Sequence, residues 1–310
     1  MGEVAPGVGD VVPDALLDLI EPLRGRPRSI LELGGGLTNR NFKVTTPEAS
    51  YVVRVSSRES VELSVNREHE YRNSIIAAEA GVGAPVVGYL PAHGVMVVGF
   101  LEGETFTDAS FTKPGAVARV AEACRRLHGG GRFVNEFNMF EIQARYLALV
   151  RERGYRLPEG YLDFTEEVAR LRGALGVRAE PLVACNNDLL AGNFIDEGPQ
   201  IRIIDYEYAG NNDACFELGN LWSECHLSDD QLEELIEVYY GRISHSKLAR
   251  ARLQGLMSQY GWTLWASIQD ASSALDFDFW SWGLEKYERA VATFRGSELD
   301  GLLDAVQRDD

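Results

Sequence analysis

The sequence predicts an α+β chain of two lobes, a small antiparallel β-sheet in residues 1–101 and a larger, mainly helical part in residues 102–310. Three observations carry this. Short β-branched runs broken by turn residues crowd the first third of the chain, whereas helical periodicity dominates after Gly103. One strand–turn–strand unit interrupts the helical part, within residues 183–208. A length of 310 residues allows two domains, each able to bury a core of its own.

The first lobe is expected to open on a helix over residues 12–23. Pro13 sits in its first turn, and Ala15, Leu16, Leu19, Ile20 and Leu23 recur at helical spacing. Residues 30–44 read as strand, glycine turn, strand. Gly34, Gly35 and Gly36 carry no side chains, so backbone N–H groups there can approach phosphate oxygens, and Thr38, Asn39 and Asn41 add side-chain donors. Taken alone, such a hairpin reads as a plain turn. No Gly-Lys-Ser/Thr ending follows it, which excludes a P-loop. Residues 51–55 form a β-branched strand with one cation, Arg54. Asn66 is placed to cap a helix running to about Ala80, with Gly81 as its stop. On that helix Glu70 is the candidate partner of Arg54 and Glu68 the alternative; the bland reading makes both solvated acids. Residues 86–90 and 95–101 flank a turn at 91–94 and form a hairpin.

Helices follow. Thr112 and Pro114 open one with an apolar face of Val117, Val120, Ala121, Cys124 and Leu127, and further helices are expected over 138–152 and 163–174. Ser228 and Gln231 frame a capping box for another, which carries Leu232, Leu235, Ile236 and Tyr239.

The stretch from 183 to 208 holds the chemistry. Asp188, Asn193 five residues later and Asp205 seventeen residues after Asp188 stand in an apolar setting. Phe194, Ile195, Ile201, Ile203 and Ile204 flank a turn that Gly198 and Pro199 make, so Asp205 ends an apolar strand, rigidly held yet open to a cleft. Phosphoryl transfer from a nucleotide needs a carboxylate to orient the attacking hydroxyl and oxygen ligands for magnesium. Asp188 supplies the first; Asn193 and Asp205 supply the second. An Asp, four residues, an Asn, then an Asp on a following strand is the pattern of a kinase catalytic loop and its metal-binding Asp.

At this point the sequence resembles the choline and ethanolamine kinase family, relatives of the aminoglycoside phosphotransferases with a protein-kinase-like fold. The matching words are Cys-Asn-Asn-Asp at 185–188, Gly-Asn-Phe at 192–194 and Ile-Asp-Tyr-Glu-Tyr-Ala-Gly-Asn-Asn-Asp at 204–213, and the resemblance extends over about residues 30–295. It implies that ATP, with Mg2+, gives its γ-phosphoryl group to the hydroxyl of choline or ethanolamine. It makes the glycine turn a nucleotide loop, brings Arg54 to the phosphates with Glu70 holding it, and sets an adenine against the backbone at 99–101, Phe100 and Leu101 included. It also makes His128 structural. Two positions depart from the pattern. Asn186 stands where the family usually has His, a scaffold residue that makes hydrogen bonds, and an Asn side chain can still donate and accept. Glu217 stands where Asp is the more common buttress of the catalytic loop.

All five tryptophans lie in the last third of the chain. Trp262 and Trp265 project from one face of an expected helix, with Gln269 a turn further on. Core packing is the commoner fate of such aromatics. Against it stands the need of a quaternary ammonium, which donates no hydrogen bond and is held by aromatic faces and a carboxylate. Tyr206, Glu207 and Tyr208 directly follow Asp205, and the resemblance places Trp262 and Trp265 at the choline-binding end. Glu207, Tyr208, Trp262 and Trp265 are therefore the candidate substrate residues.

Composition sets the outer limits. A net charge of −17 argues against nucleic acid as a partner, and no apolar run reaches the length of a membrane span. Residues 1–99 carry 9 Lys and Arg against 12 Asp and Glu, the remainder 21 against 35. An acidic second lobe suits a small cationic alcohol, and equally a plain acidic surface. Cys124, Cys185, Cys215 and Cys225 show neither zinc spacing nor a disulfide framework. The N-terminus lacks a signal-peptide pattern, so the expectation is a cytoplasmic monomer or homodimer. Two other readings remain: a kinase of another alcohol, such as an aminoglycoside or thiamine, and a non-catalytic nucleotide-binding regulator, which the Asn186 substitution motivates.

Overall fold

A computed structural model describes residues 12–34, 39–56, 63 and 65–309. The chain starts with a single helical turn, α1 (Asp14–Leu17), and a 3-10 turn at Glu21–Leu23, instead of the continuous helix expected over 12–23. Pro22 is the reason. Its ring would clash with the carbonyl four residues earlier, and it has no N–H to give.

Five strands then build one sheet: β1 (Ser29–Leu33), β2 (Asn39–Thr45), β3 (Ser50–Ser56), β4 (Val86–Leu90) and β5 (Val95–Gly99), ordered β1-β2-β3-β5-β4 with every pairing antiparallel. Alternation decides what each face carries. Phe42, Val44, Val53, Val95 and Val97 pack with Leu17, Ile20 and Leu23 on one side. Arg54, next to Val53 and in register with Asn41 and Met96, belongs to the other. Helix α2 (Arg67–Glu79) starts where Asn66 accepts hydrogen bonds from the backbone N–H groups of Glu68 and His69, and ends at Gly81, whose φ of +72° suits a residue without a Cβ. Ala77 of α2 and Val82 just beyond it join the core of the larger lobe, so this helix serves both lobes.

The larger lobe begins with a two-residue strand, β6 (Glu104–Thr105), and the helices α3 (Ala116–His128), α4 (Met139–Arg153) and α5 (Thr165–Val177). Strand β7 (Leu182–Cys185) leads to the expected hairpin, β8 (Phe194–Asp196) and β9 (Ile201–Ile203), and β6 extends it to three strands. A fifth segment, β10 (Gly210–Asp213), pairs antiparallel with β7. Then come α6 (Ala214–Glu224), α7 (Asp229–Tyr240), α8 (His245–Ser272), α9 (Phe279–Arg295) and α10 (Leu299–Ala305). Helix α8 is buried over most of its length and is the axis of the lobe. It meets α6 at unusually close range. A Cβ on Gly219 would overlap the Ala251 carbonyl, and one on Gly255 would come within 2.8 Å of the Gly219 carbonyl. That contact brings the Glu217–Glu224 helix against the helix that carries Trp262 and Trp265. No helix among the described residues is long and apolar enough to cross a membrane.

Candidate active site

Asp188 follows β7 in a loop whose shape is set by buried amides. Asn187 adopts a left-handed φ of 69°, and Glu217, fully buried on α6, accepts the N–H groups of Asn186 and Asn187 on its two oxygens at 2.8 and 2.6 Å. The longer acid thus serves as the buttress. Asn186 ties this loop to the far end of the hairpin. Its amide donates to the carbonyls of Ile204 (3.2 Å) and Asp205 (2.7 Å), and its oxygen accepts the Asp188 N–H at 3.1 Å. These are scaffold bonds, so an Asn fits the position. His128 lies beneath, between the Tyr239 hydroxyl (2.7 Å) and Glu217 (3.4 Å).

The hairpin brings the second and third polar groups to the same place. Asn193 donates from its amide to the Asp188 carbonyl at 2.8 Å, and its own carbonyl accepts the Ile204 N–H at 2.9 Å. Asp205 then leaves β9 with a φ of 64°, a conformation that a non-glycine residue adopts only when its surroundings impose it. Burial, Asp205, Glu224 and Glu207 together push the Asp188 carboxyl well above the usual carboxylate range, against a smaller pull from Lys286.

From the small lobe, Arg54 meets three acids. Its Nη2 lies 2.6 Å from Asp205 and 3.3 Å from Glu207, and its Nη1 lies 3.1 Å from Glu70. Glu70 is thus the partner, while Glu68 pairs with Arg72 along the helix surface. A second arginine, Arg67, reaches Glu70 at 2.7 Å and Glu207 at 3.1 Å and donates to Asn39 at 3.0 Å.

Two expected ligand-binding residues meet protein partners here. Asn39, expected as a phosphate donor, spends its amide between Arg67 and the Glu207 carboxylate, to which it donates at 3.0 Å. Glu207, expected to receive the substrate cation, has an oxygen shared by Asn39, Arg54 and Arg67, so two guanidiniums already meet its charge. Asp205 and Glu207 converge on one nitrogen of Arg54. Carboxylate oxygens of this kind suit a hard divalent cation, and Asn193 is tied to the same loop through Asp188.

At the lobe junction the Phe100 N–H donates to Ser50 and the Gly99 N–H to Pro85, so neither amide is spare for an adenine; Leu101 is the remaining backbone donor of the expected trio. The Phe100 ring carries the Lys43 ammonium 3.5 Å from its centre. Asn41 lies on β2 opposite Arg54. Gly35, Gly36 and Thr38 lie outside the described residues.

The aromatic end is compact. Trp262 and Trp265 are buried, with Tyr208 between them; the Trp265 indole N–H donates to the Tyr208 hydroxyl at 2.8 Å, and the Tyr208 and Trp262 rings meet edge to face at 5.0 Å. Sequence reasoning missed three residues here. Trp282 packs against Trp265 at 5.5 Å, Lys286 one turn later sits 3.9 Å from the centre of the Trp282 ring, and Lys286 pairs with buried Glu224 at 2.5 Å. The available signals were helical spacings: Glu224 lies seven residues after Glu217, and Lys286 four after Trp282.

A family model described as choline/ethanolamine kinase matches residues 30–250. The chain belongs to this family. A solved choline/ethanolamine kinase family protein from Mesorhizobium loti is 34% identical, with a TM-score of 0.84 over 95% of this chain and 97% of that one. A probable ethanolamine kinase of Arabidopsis thaliana is 26% identical over 84% of this chain and 78% of its own. Choline kinase LicA from Streptococcus pneumoniae, 23% identical, superposes with a TM-score of 0.73 over 86% of this chain and 93% of its own. The protein-kinase-like fold is thereby established, and family membership makes this chain an alcohol phosphotransferase.

Proposed function

We propose that this choline/ethanolamine kinase family member is a cytoplasmic enzyme that transfers the γ-phosphoryl group of ATP to the hydroxyl of choline or ethanolamine. The observation that carries the reading is the link among the three groups: Asn193 donates to the Asp188 carbonyl, Arg54 holds Asp205 at 2.6 Å, and the Asp188 carboxyl feels the charges of Asp205, Glu224 and Glu207. Asp188 orients the acceptor hydroxyl and takes its proton. Its carboxyl is pushed toward the proton affinity that a general base needs. Asp205 and Asn193, with Glu207 close by, hold the magnesium ion, which when bound neutralises charge on the phosphates. Arg54, kept in place by Glu70, turns to the phosphates. Leu101 and Phe100 border the adenine. The acceptor's ammonium is held among Trp262, Trp265, Trp282 and Tyr208, with Glu224 taking the part first given to Glu207.

The scaffold bonds of Asn186 support the catalytic reading over a non-catalytic one. The test is ADP release with ATP and Mg2+ over a panel of amino alcohols, aminoglycosides and thiamine. Turnover with choline or ethanolamine and little with the rest is expected. Turnover confined to a sugar or thiamine would replace the acceptor, and nucleotide binding without any turnover would end the catalytic reading.

A further inference from the structure

The Glu224 side chain is only 2% exposed, and its two oxygens have unequal surroundings. Oε2 accepts from Lys286 Nζ at 2.5 Å. Oε1 is buried with no hydrogen-bond partner. A buried carboxylate oxygen without a donor is costly, so the site calls for an N–H or O–H group from a ligand. The pair also borders the aromatic end of the site, since Lys286 lies against the Trp282 ring, which packs on Trp265 at 5.5 Å.

Quaternary and primary ammonium groups would meet this arrangement differently. A quaternary ammonium has no hydrogen to give and depends on aromatic faces. The Trp282 face turned toward Glu224 already carries the Lys286 ammonium. Lys286 is itself buried, its side chain 8% exposed, and moving it away from Glu224 would strand a charge in low-dielectric surroundings. A primary ammonium can instead leave Lys286 in place and donate to Oε1.

We infer that Lys286 is a specificity-determining residue of the acceptor site, one that reserves the free Glu224 oxygen for a primary ammonium and keeps a quaternary one off the Trp282 face. This rests on the phosphotransferase reading above and chooses between its two acceptors.

The test compares kcat/KM for ethanolamine and choline in the wild-type protein, Lys286→Met and Lys286→Arg, all with ATP and Mg2+. The wild type should favour ethanolamine by about tenfold or more, the scale of one hydrogen bond to a charged group. Lys286→Met should move the ratio about tenfold toward choline, and Lys286→Arg should hold it. A lysine that merely supports the fold would lower both substrates together; an unchanged ratio in the Met variant, or a wild type that prefers choline, overturns the inference. Should the Met variant not fold, tryptophan fluorescence of the wild type titrated with ethylammonium and tetramethylammonium decides. Tighter binding of ethylammonium supports the inference, and equal or reversed order overturns it. If the wild type phosphorylates neither amine, the proposed reaction fails, and the same titration still settles the role of Lys286.

Discussion

The lobe junction and the aromatic pocket each hold a protein cation against a carboxylate that a ligand's cation would use, and they differ in what that cation keeps once the ligand arrives. At the junction Arg54 pairs with Asp205, Glu70 and Glu207, and Arg67 supports the last two. Three carboxylates face two guanidiniums, so negative charge is in excess. Arg54 can release Asp205 to a metal ion and remain paired twice over. In the pocket one lysine faces one glutamate, with an aromatic ring as its other contact. Charge there is balanced, and displacing the lysine leaves it buried and unpaired. On the proposed reading the junction exchanges partners, whereas the pocket keeps its own and accepts one more.

The Asp188 carboxyl feels the acids of both regions, Asp205 and Glu207 of one and Glu224 of the other, and its removal should have the largest effect. Asp188→Asn should lower turnover by about 10²–10⁴-fold, the usual worth of a general base. ATP binding should persist, because the proposed nucleotide contacts lie on the junction side. Steady-state kinetics with a nucleotide-binding titration check this, and near-normal turnover would take the role from Asp188. Arg54→Met comes next. It strips three acids of a shared counter-charge, and breaking a buried pair costs about 3–5 kcal/mol. Urea unfolding should show a loss on that scale, with the KM for ATP raised in whatever protein remains folded. Glu224→Gln should act on the other region alone, raising the KM for the amine about tenfold while leaving that for ATP unchanged. If Arg54→Met and Glu224→Gln each shift both KM values alike, the two regions are one unit and the contrast above is false.

The same contrast explains what could be read from the sequence. The five-stranded sheet was legible because β-branched runs and turn residues have a short-range cause, and α2 was legible from Asn66 and Gly81. Strand β10 was not, because Gly-Asn-Asn-Asp opposes strand propensity. It holds because its buried side chains find partners far along the chain: Asn211 on the backbone of Phe133 and Asn135, Asn212 on Asn187, Asp213 on Arg250. Among the site residues, Arg54 and Glu70 were legible as a pair because few charges compete in that strand and helix. The partners of Glu207 were not legible, for the opposite reason. Its place beside Asp205 in sequence said that it lies near the site, but which charge it meets depends on Arg67 and Asn39, residues 140 and 168 positions away. Glu224 and Lys286, separated by 62 positions, belong together only once α6 and α9 are packed.

The smallest expected effect tests whether the junction's geometry depends on a clamp at the hairpin's far end. Arg119 on α3 grips the turn between β8 and β9, with two bonds to Asp196 at 2.8 and 2.6 Å and one to the Gly198 carbonyl at 2.7 Å. The hydrogen bond from Arg119, helped by the Gly198 N–H and opposed by desolvation, holds the Asp196 carboxyl below its ordinary value. Since the folded value lies below the unfolded one, the stabilisation is fully present above the unfolded pKa and is lost as pH falls through the folded one. The pair is partly exposed, so Asp196→Asn should cost only about 0.5–1 kcal/mol at neutral pH. Urea unfolding of both proteins from pH 7 downward should show the gap closing once pH drops below the ordinary Asp range, about 3.9. A gap that stays constant would mean that hydrogen bonding an amide can equally make, and not the carboxylate's charge, holds the turn. In that case the position of Asp205 owes nothing to electrostatics at the hairpin's tip and everything to Asn186 and Arg54 at its base.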